Sequence, residues 1–272
     1  MFIHNINPVA FSIGSLDVRF YGLVYFFGFL LGYFYFRYLI KRSKIKHFGF
    51  DDLDSFMIYF MLGSIIGARV LNFVFYYPGV IFSDPMQLFR VWEGGMSIHG
   101  GIVGAIVAGL LFVRSRKISF YDLADHVIIL LMFFLGLGRI ANFINGELWG
   151  TPHAGRFCID YSQSEYLINP PQGCRHPYQL YESLKNFAVG IALLAVNSFA
   201  SLKKGLLFWY GILAYNVLRF FLDFYRADPE LFLGISTGQF LCVLFSLVAI
   251  VFIIHLHFFN SNKLAKKVVR KK

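Results

Sequence analysis

Long apolar runs separated by short polar breaks dominate this sequence. A helix crossing about 30 Å of hydrocarbon needs roughly 20 apolar residues. Seven runs approach that length, at about 19–40, 55–77, 96–113, 121–144, 181–201, 205–225 and 236–259. The pattern predicts an all-α integral membrane protein with seven transmembrane helices, forming one polytopic membrane domain over residues 1–272. The one sizeable polar interruption, rich in Gly and Pro, lies at about 145–180, and a basic tail occupies about 260–272. A connection as long as the first is usually functional or disordered rather than a passive link. No internal repeat is found, which argues against an inverted-repeat transporter.

Composition narrows the class. Hydrophobic residues make up 57% of the 272 positions and charged residues 15%, with 34 Phe and 16 Tyr. A soluble domain is about a quarter charged, and its core could not hide so many rings. An ordinary soluble enzyme, a disordered chain and a disulfide-dense secreted module are therefore excluded. The formal net charge of +10 would raise a nucleic-acid surface in a soluble protein; in a membrane protein it raises the question of which loops hold the cations. With seven spans, Arg37, Lys41, Arg42, Lys44 and Lys46, then Arg114, Arg116 and Lys117, then Lys203 and Lys204, fall on one side. The tail cations Lys263, Lys266, Lys267, Arg270, Lys271 and Lys272 join them. Arg19, Arg90, Arg156, Arg175 and Arg226 lie on the other side, unclustered. Cationic loops favour the cytoplasmic face, so the N-terminus is expected outside, the C-terminus in the cytoplasm and the 145–180 loop outside. Met1–Ser12 lacks the basic start of a signal peptide, and the first span is too long and aromatic for one.

Ionisable groups inside spans are costly and mark functional sites by default. Arg69, Arg139, Arg219 and Asp223 qualify, whereas Lys185 lies near a span end and is expected to snorkel. With the orientation above, Arg69, Arg139, Arg219, Asp223, His99 and Tyr21 fall at one outer level on five spans, which predicts one shared site. Tyr215, Arg219 and Asp223 stack at i, i+4 and i+8, and Arg139 lies one turn from Asn142. Arg226 follows on a nearby face. The alternative is helix-gluing ion pairs; for Arg69 that alternative, or lipid anchoring, stands level with chemistry. For Arg139 and Arg219 a single buried acid cannot balance three buried arginines, and a lipid phosphate would supply the missing anion. Arginine grips phosphate bidentately, and positive charge in a dry pocket stabilises a departing phosphate.

His99 opens a His-Gly-Gly run and could accept a proton near neutral pH, unless it is a solvated interface histidine. His176, in Arg175-His176-Pro177, is a weaker candidate. Gly136 and Gly138 read as close helix packing. Cys158 and Cys174 share the long loop and either form a disulfide or stay as free thiols. No Cys/His spacing fits a metal site.

The stretch Gly138-Arg139-Ile140-Ala141-Asn142-Phe143-Ile144-Asn145-Gly146-Glu147-Leu148-Trp149-Gly150 resembles the signature of bacterial prolipoprotein diacylglyceryl transferases. Phe20-Tyr21-Gly22-Leu23, Met96-Ser97-Ile98-His99-Gly100-Gly101, Arg175-His176-Pro177 with Gln179-Leu180-Tyr181-Glu182, and Tyr215 to Arg226 resemble further motifs of that family, in order along nearly the whole chain. The resemblance implies transfer of the diacylglyceryl group of phosphatidylglycerol to the thiol of the lipobox cysteine of a preprolipoprotein signal peptide, forming a thioether and releasing glycerol phosphate. This is the first step of lipoprotein maturation, placed in the bacterial cytoplasmic (inner) membrane with the site toward the periplasm. By resemblance Arg139 and Arg219 hold the phosphate and stabilise the leaving group, and His99 helps deprotonate the thiol. Tyr21, Asn142, Gly150 and Tyr215 serve lipid binding or site shape, with Asn145, Glu147, Asp223 and Arg226 in support. Ala141 stands where the signature usually has Gly, Thr151 where Arg is common, and Asp223 where Glu is usual; none removes a reacting group.

No cofactor is implied: the sequence holds neither a phosphate loop nor a dinucleotide fingerprint. Nucleic acid is not an expected partner. A transporter would want polar groups reaching both faces, and a seven-span receptor would not need the membrane arginines.

Overall fold

The computed structural model describes residues 1–14, 16–90, 95–227, 230–232 and 234–269. The side chains of Leu16, Ile98, His99, 230–232 and 259–269 are outside that description, as are Gly94 and the tail residues Arg270, Lys271 and Lys272. In chain order the elements are β1 (Phe2–Ile3), β2 (Val9–Ile13), β3 (Leu16–Arg19), α1 (Phe20–Lys41), α2 (Phe50–Tyr76), α3 (Pro78–Ser83), α4 (Ile98–Arg116) and α5 (Phe120–Ile144). They continue with β4 (Ile159–Asp160), β5 (Cys174–Arg175), α6 (Tyr178–Phe199), α7 (Leu206–Leu222), β6 (Glu230–Phe232), β7 (Ile235–Ser236) and α8 (Thr237–Val269). Each of the seven apolar runs overlaps one helix. Among the described residues five helices, α1, α2, α5, α7 and α8, are long and apolar enough to cross a membrane. Their outward faces carry large apolar side chains such as Phe26, Phe34 and Val251, all more than half exposed, as a lipid-facing surface requires. The protein is a mostly helical membrane protein.

The chain forms two compact units, one of Met1–Gly28 with Ala124–Lys272, the other of Phe29–Leu123. In the second unit α2 begins five residues before the apolar run suggested, because Asp51 and Asp52 suit a helix start and the Asp52 carboxylate accepts the Gly49 N–H at 2.9 Å. Phe36, Phe48, Phe56 and Phe112 form an aromatic core with ring centroids 5.3–6.3 Å apart. Further along, α2 and α4 meet backbone to backbone. A Cβ on Gly104 would lie 2.0 Å from the Gly63 carbonyl oxygen, and one on Gly100 2.3 Å from that of Gly67. Gly100, directly after His99, and Gly104 one turn on thus serve helix contact, the small-residue packing of membrane helices.

In the first unit Ile128, Ile129 and Met132 of α5 pack against Val189 and Leu193 of α6 and Leu207 of α7. Gly211 makes this possible, since a Cβ there would meet Ile128 at 2.5 Å. Asp125 of α5 accepts the N–H groups of Gly205 and Phe208 at 2.7 and 2.8 Å, capping the start of α7. At the opposite end, the loop between α5 and α6 is ordered rather than slack. Strand β4 pairs in parallel with β1 and antiparallel with β5. Cys158 and Cys174 are bonded, with Cα atoms 5.4 Å apart, which resolves the two alternatives open for them. His4, 1% exposed, places its ring against Tyr161 and Phe143 and its Nε2 2.7 Å from the Phe143 carbonyl oxygen. The N-terminal strand is therefore part of the cap formed by this loop.

Candidate functional site

The site grows from helix ends in the first unit. On α5, one-turn spacing places Arg139 beside Asn142: Arg139 Nη1 donates to Asn142 Oδ1 at 3.4 Å. The amide of Asn142 donates to Glu147 at 3.3 Å, and Asn145 donates to the other oxygen of Glu147 at 2.8 Å. Gly146, with φ of 65°, allows the chain to turn sharply off α5 so that Glu147 can fold back. Gln179 of α6 secures this turn by donating to the Glu147 carbonyl.

On α7 the i, i+4, i+8 ladder forms as spaced. Arg219 Nη1 donates to the Tyr215 hydroxyl at 2.9 Å and Arg219 Nε faces Asp223 Oδ2 at 3.4 Å. Asp223 is 4% exposed and also accepts from the hydroxyl of the fully buried Tyr178. Gly238, at the start of α8, closes over this pair; a Cβ there would come within 2.8 Å of Asp223 Oδ2. Arg226 lies 5.8 Å from the Tyr178 ring, and its backbone bridges to Gly150. Gly150 is required by close approach, because a Cβ would meet the His176 carbonyl oxygen at 2.4 Å.

Two expectations are corrected here. Lys185 does not snorkel: it is 7% exposed and its Nζ lies 2.7 Å from Glu182, itself fully buried. Helix α6 starts at Tyr178, three residues before the predicted run, so Lys185 stands two turns inside it. The expectation of a single buried acid also fails, because Glu182 is a second one, with Arg139 Nε 3.6 Å from its other oxygen. The described cluster of buried or half-buried charges is thus Arg139, Lys185 and Arg219 against Glu182 and Asp223. Lys185 Nζ lies 4.1 Å from the centre of the Tyr215 ring, so Arg139, Glu182, Lys185, Tyr215 and Arg219 form one continuous chain of contacts. Each arginine is braced through Nε and Nη1, and no described hydrogen bond takes the Nη2 of either.

Other candidates are placed differently. Tyr21 is half-buried and accepts from the Tyr25 hydroxyl at 3.3 Å, while Tyr25 packs on Phe134 of α5. Gly136 packs closely, with Phe187 2.8 Å from a hypothetical Cβ, but Gly138 would meet nothing within 4 Å, so close packing does not explain it. His176 stacks on His153 at 3.9 Å and lies 3.3 Å from the Tyr181 hydroxyl; burial first, then His153, holds its imidazole below the usual range. His99 falls in the first turn of α4, which Ser97 caps at Gly100, but its side chain is outside the described residues. Arg69, in the second unit, is 4% exposed and donates to the backbone carbonyls of Gln87, Leu88, Arg90 and Gly95. It also stacks over Phe73 at 4.8 Å. Its described hydrogen bonds fasten the segment after α3 to α2 through backbone carbonyls, a structural use other than the ion pairing expected.

Apolar helices around a braced cluster of three cations and two acids define a membrane protein with paired charges buried at its helix ends. The sequence pattern of the Prolipoprotein diacylglyceryl transferase family matches residues 8–255, and the chain belongs to that family. A phosphatidylglycerol–prolipoprotein diacylglyceryl transferase of Bordetella avium (strain 197N) is 38% identical over 232 residues, 85% of this chain and 86% of that protein. Proteins of the same name from Nitrosomonas europaea and Rickettsia felis are 38% identical over 238 residues and 37% over 250, covering 87% and 88% of this chain and 84% and 92% of theirs.

Proposed function

We propose that this chain transfers the diacylglyceryl group of phosphatidylglycerol to the lipobox cysteine of a preprolipoprotein, with Arg139 and Arg219 holding the phosphate. The observation that carries this reading is the pair of guanidinium groups, each braced by a buried acid and each with Nη2 uncommitted among the described residues. A phosphodiester offers the acceptor oxygens those edges require. In the transfer, the cysteine sulfur attacks the glycerol carbon that bears the phosphate oxygen. The C–S bond forms as the C–O bond breaks, and the electron pair leaves on glycerol phosphate beside the arginines. The thiol proton passes to a base, for which His99 is the candidate. Tyr215 and Asp223 orient Arg219, Asn142 orients Arg139, and Glu147 with Asn145 holds Asn142. Gly150 and Arg226 join the loop to the end of α7, and Tyr21 completes the lipid-facing rim.

In this reading all seven long helices span a bacterial inner membrane as one polytopic domain, with the N-terminus outside. Two features support that side. The disulfide-bonded loop and strand β1 share one sheet, and disulfides persist in oxidising compartments. At the opposite end of α6, the cationic Lys203 donates to the carbonyl of His257 on α8.

The test is transfer to a lipobox peptide from phosphatidylglycerol vesicles. Wild type should yield thioether and glycerol phosphate, and Arg139→Ala and Arg219→Ala should yield neither while remaining folded. Product from both arginine variants at the wild-type rate would sink the assignment, and a fully active His99→Ala would move the base elsewhere.

A further inference from the structure

Lys185 has no role in the reading above, and Glu182 enters it only as the acid that braces Arg139, yet the two lie between its arginines. We propose that Lys185 is a positioning residue for the lipid: its ammonium holds Glu182 so that Arg139 is left available to the phosphate.

Two cations share one buried carboxylate, and they share it unequally. Lys185 Nζ is 2.7 Å from Glu182 Oε1, whereas Arg139 Nε is 3.6 Å from Oε2, beyond hydrogen-bond reach. Glu182 Oε2 has no hydrogen-bond partner among the described residues. Glu182 is fully buried, and a buried carboxylate without a cation is strongly unfavourable. Were Arg139 its sole partner, that penalty would pin the guanidinium to Glu182 and oppose any turn toward a ligand. With Lys185 in place, Glu182 stays compensated whichever way Arg139 faces.

The charge balance agrees. Arg139, Lys185 and Arg219 against Glu182 and Asp223 leave one positive charge, which matches the single negative charge of a phosphatidylglycerol phosphodiester. Glu147 is exposed and satisfied by two asparagine amides, and the half-buried Arg226 offsets it. Removing Lys185 brings the inner cluster to neutrality and takes away the surplus that attracts the lipid. Its ammonium also faces the Tyr215 ring at 4.1 Å, so it steadies the aromatic side chain that braces Arg219.

The proposal rests on the reading that Arg139 and Arg219 bind the phosphate, and the experiment separates the two. Initial rates are measured against phosphatidylglycerol concentration in mixed micelles for Lys185→Met, Glu182→Gln/Lys185→Met, Lys185→Arg and Arg139→Ala, with thermal midpoints in the same detergent. Lys185→Met should raise KM for the lipid about tenfold with kcat within about threefold, because lost ground-state binding appears in KM. The double variant, which removes both charges and restores the surplus, should return KM to within about threefold of wild type, a coupling that only an interacting pair shows. Lys185→Arg should stay near wild type. An unchanged KM in folded Lys185→Met, or a double variant with KM still raised, would overturn the proposal. If Lys185→Met does not fold, the KM of the double variant decides by the same criterion. Loss of lipid affinity in Arg139→Ala but not in Lys185→Met removes this proposal alone; undiminished affinity in Arg139→Ala removes the phosphate reading and this proposal with it.

Discussion

Arg69 and Arg219 both project from long apolar helices, and nothing in their residue type tells them apart. Their donors do. Arg69 fans four described hydrogen bonds onto backbone carbonyls of the segment that follows α3, binding a turn to α2. Arg219 is held at Nη1 by Tyr215 and at Nε by Asp223. The first arrangement supplies donors to carbonyls of a short helical turn and the residues after it, of which that of Gln87 also accepts the Arg90 N–H. The second keeps a charge aimed and ready. Buried arginine is therefore informative about function only once the destination of each N–H group is known.

Substitutions should separate these two uses. The largest effect is expected at the braced arginines. Arg139→Ala should lower the transfer rate by about 10²–10³-fold with the thermal midpoint nearly unchanged, because Lys185 still pairs with Glu182. Arg219→Ala should lower it as much and also melt earlier, because it leaves the buried Asp223 without its cation. Arg69→Met should do the converse, costing about 3–5 kcal/mol of stability as several carbonyls lose their donor, read as lost folded yield and an earlier melt. If Arg69→Met melts like wild type but fails to transfer, the contrast is wrong. Cys158→Ser/Cys174→Ser should cost about 3 kcal/mol in the chain-entropy picture of a loop this short; an unshifted melt would mean the β4–β5 sheet needs no tie. The smallest effect concerns His176, whose neutral form the fold favours. As pH falls through 6.5, the unfolded chain takes up the proton first, so stability complete above that value is lost below it. Acidification from about 7.5 to about 5.5 should lower the melting midpoint of wild type by about 2 °C more than that of His176→Asn. Equal shifts would show that the stacked histidines contribute nothing to this dependence.

Much of this architecture is legible in the residues. Each apolar run maps to a helix, and one-turn spacings become contacts at Arg139–Asn142, Tyr215–Arg219 and Arg219–Asp223. What escapes has identifiable causes. The apolar run after the long loop starts at about 181, but Pro177 and the buried Tyr178 and Gln179 start the helix earlier. That shift turns Lys185 from a rim residue into a buried one and brings Glu182 inside. The partners of Arg69 are backbone carbonyls, which every residue possesses, so no sequence pattern announces them. Strands of two residues, such as β1 and β4, are too short to show an alternation. Their pairing depends on tertiary placement.

That pairing has a consequence in time. Phe2 sits beside Ile159 and the N–H of His4 donates to Asp160, so β1 finds its partners only once residues 159–160 have been made. At about 5–20 residues per second, strand β1 waits on the order of ten seconds for β4. Throughout that interval the buried ring of His4 and its neighbour Phe2 lack their final surroundings. The contacts of β1 within the cap wait for the segment between α5 and α6. A ribosome stalled before residue 159 would thus leave a chain whose first strand has nowhere to dock.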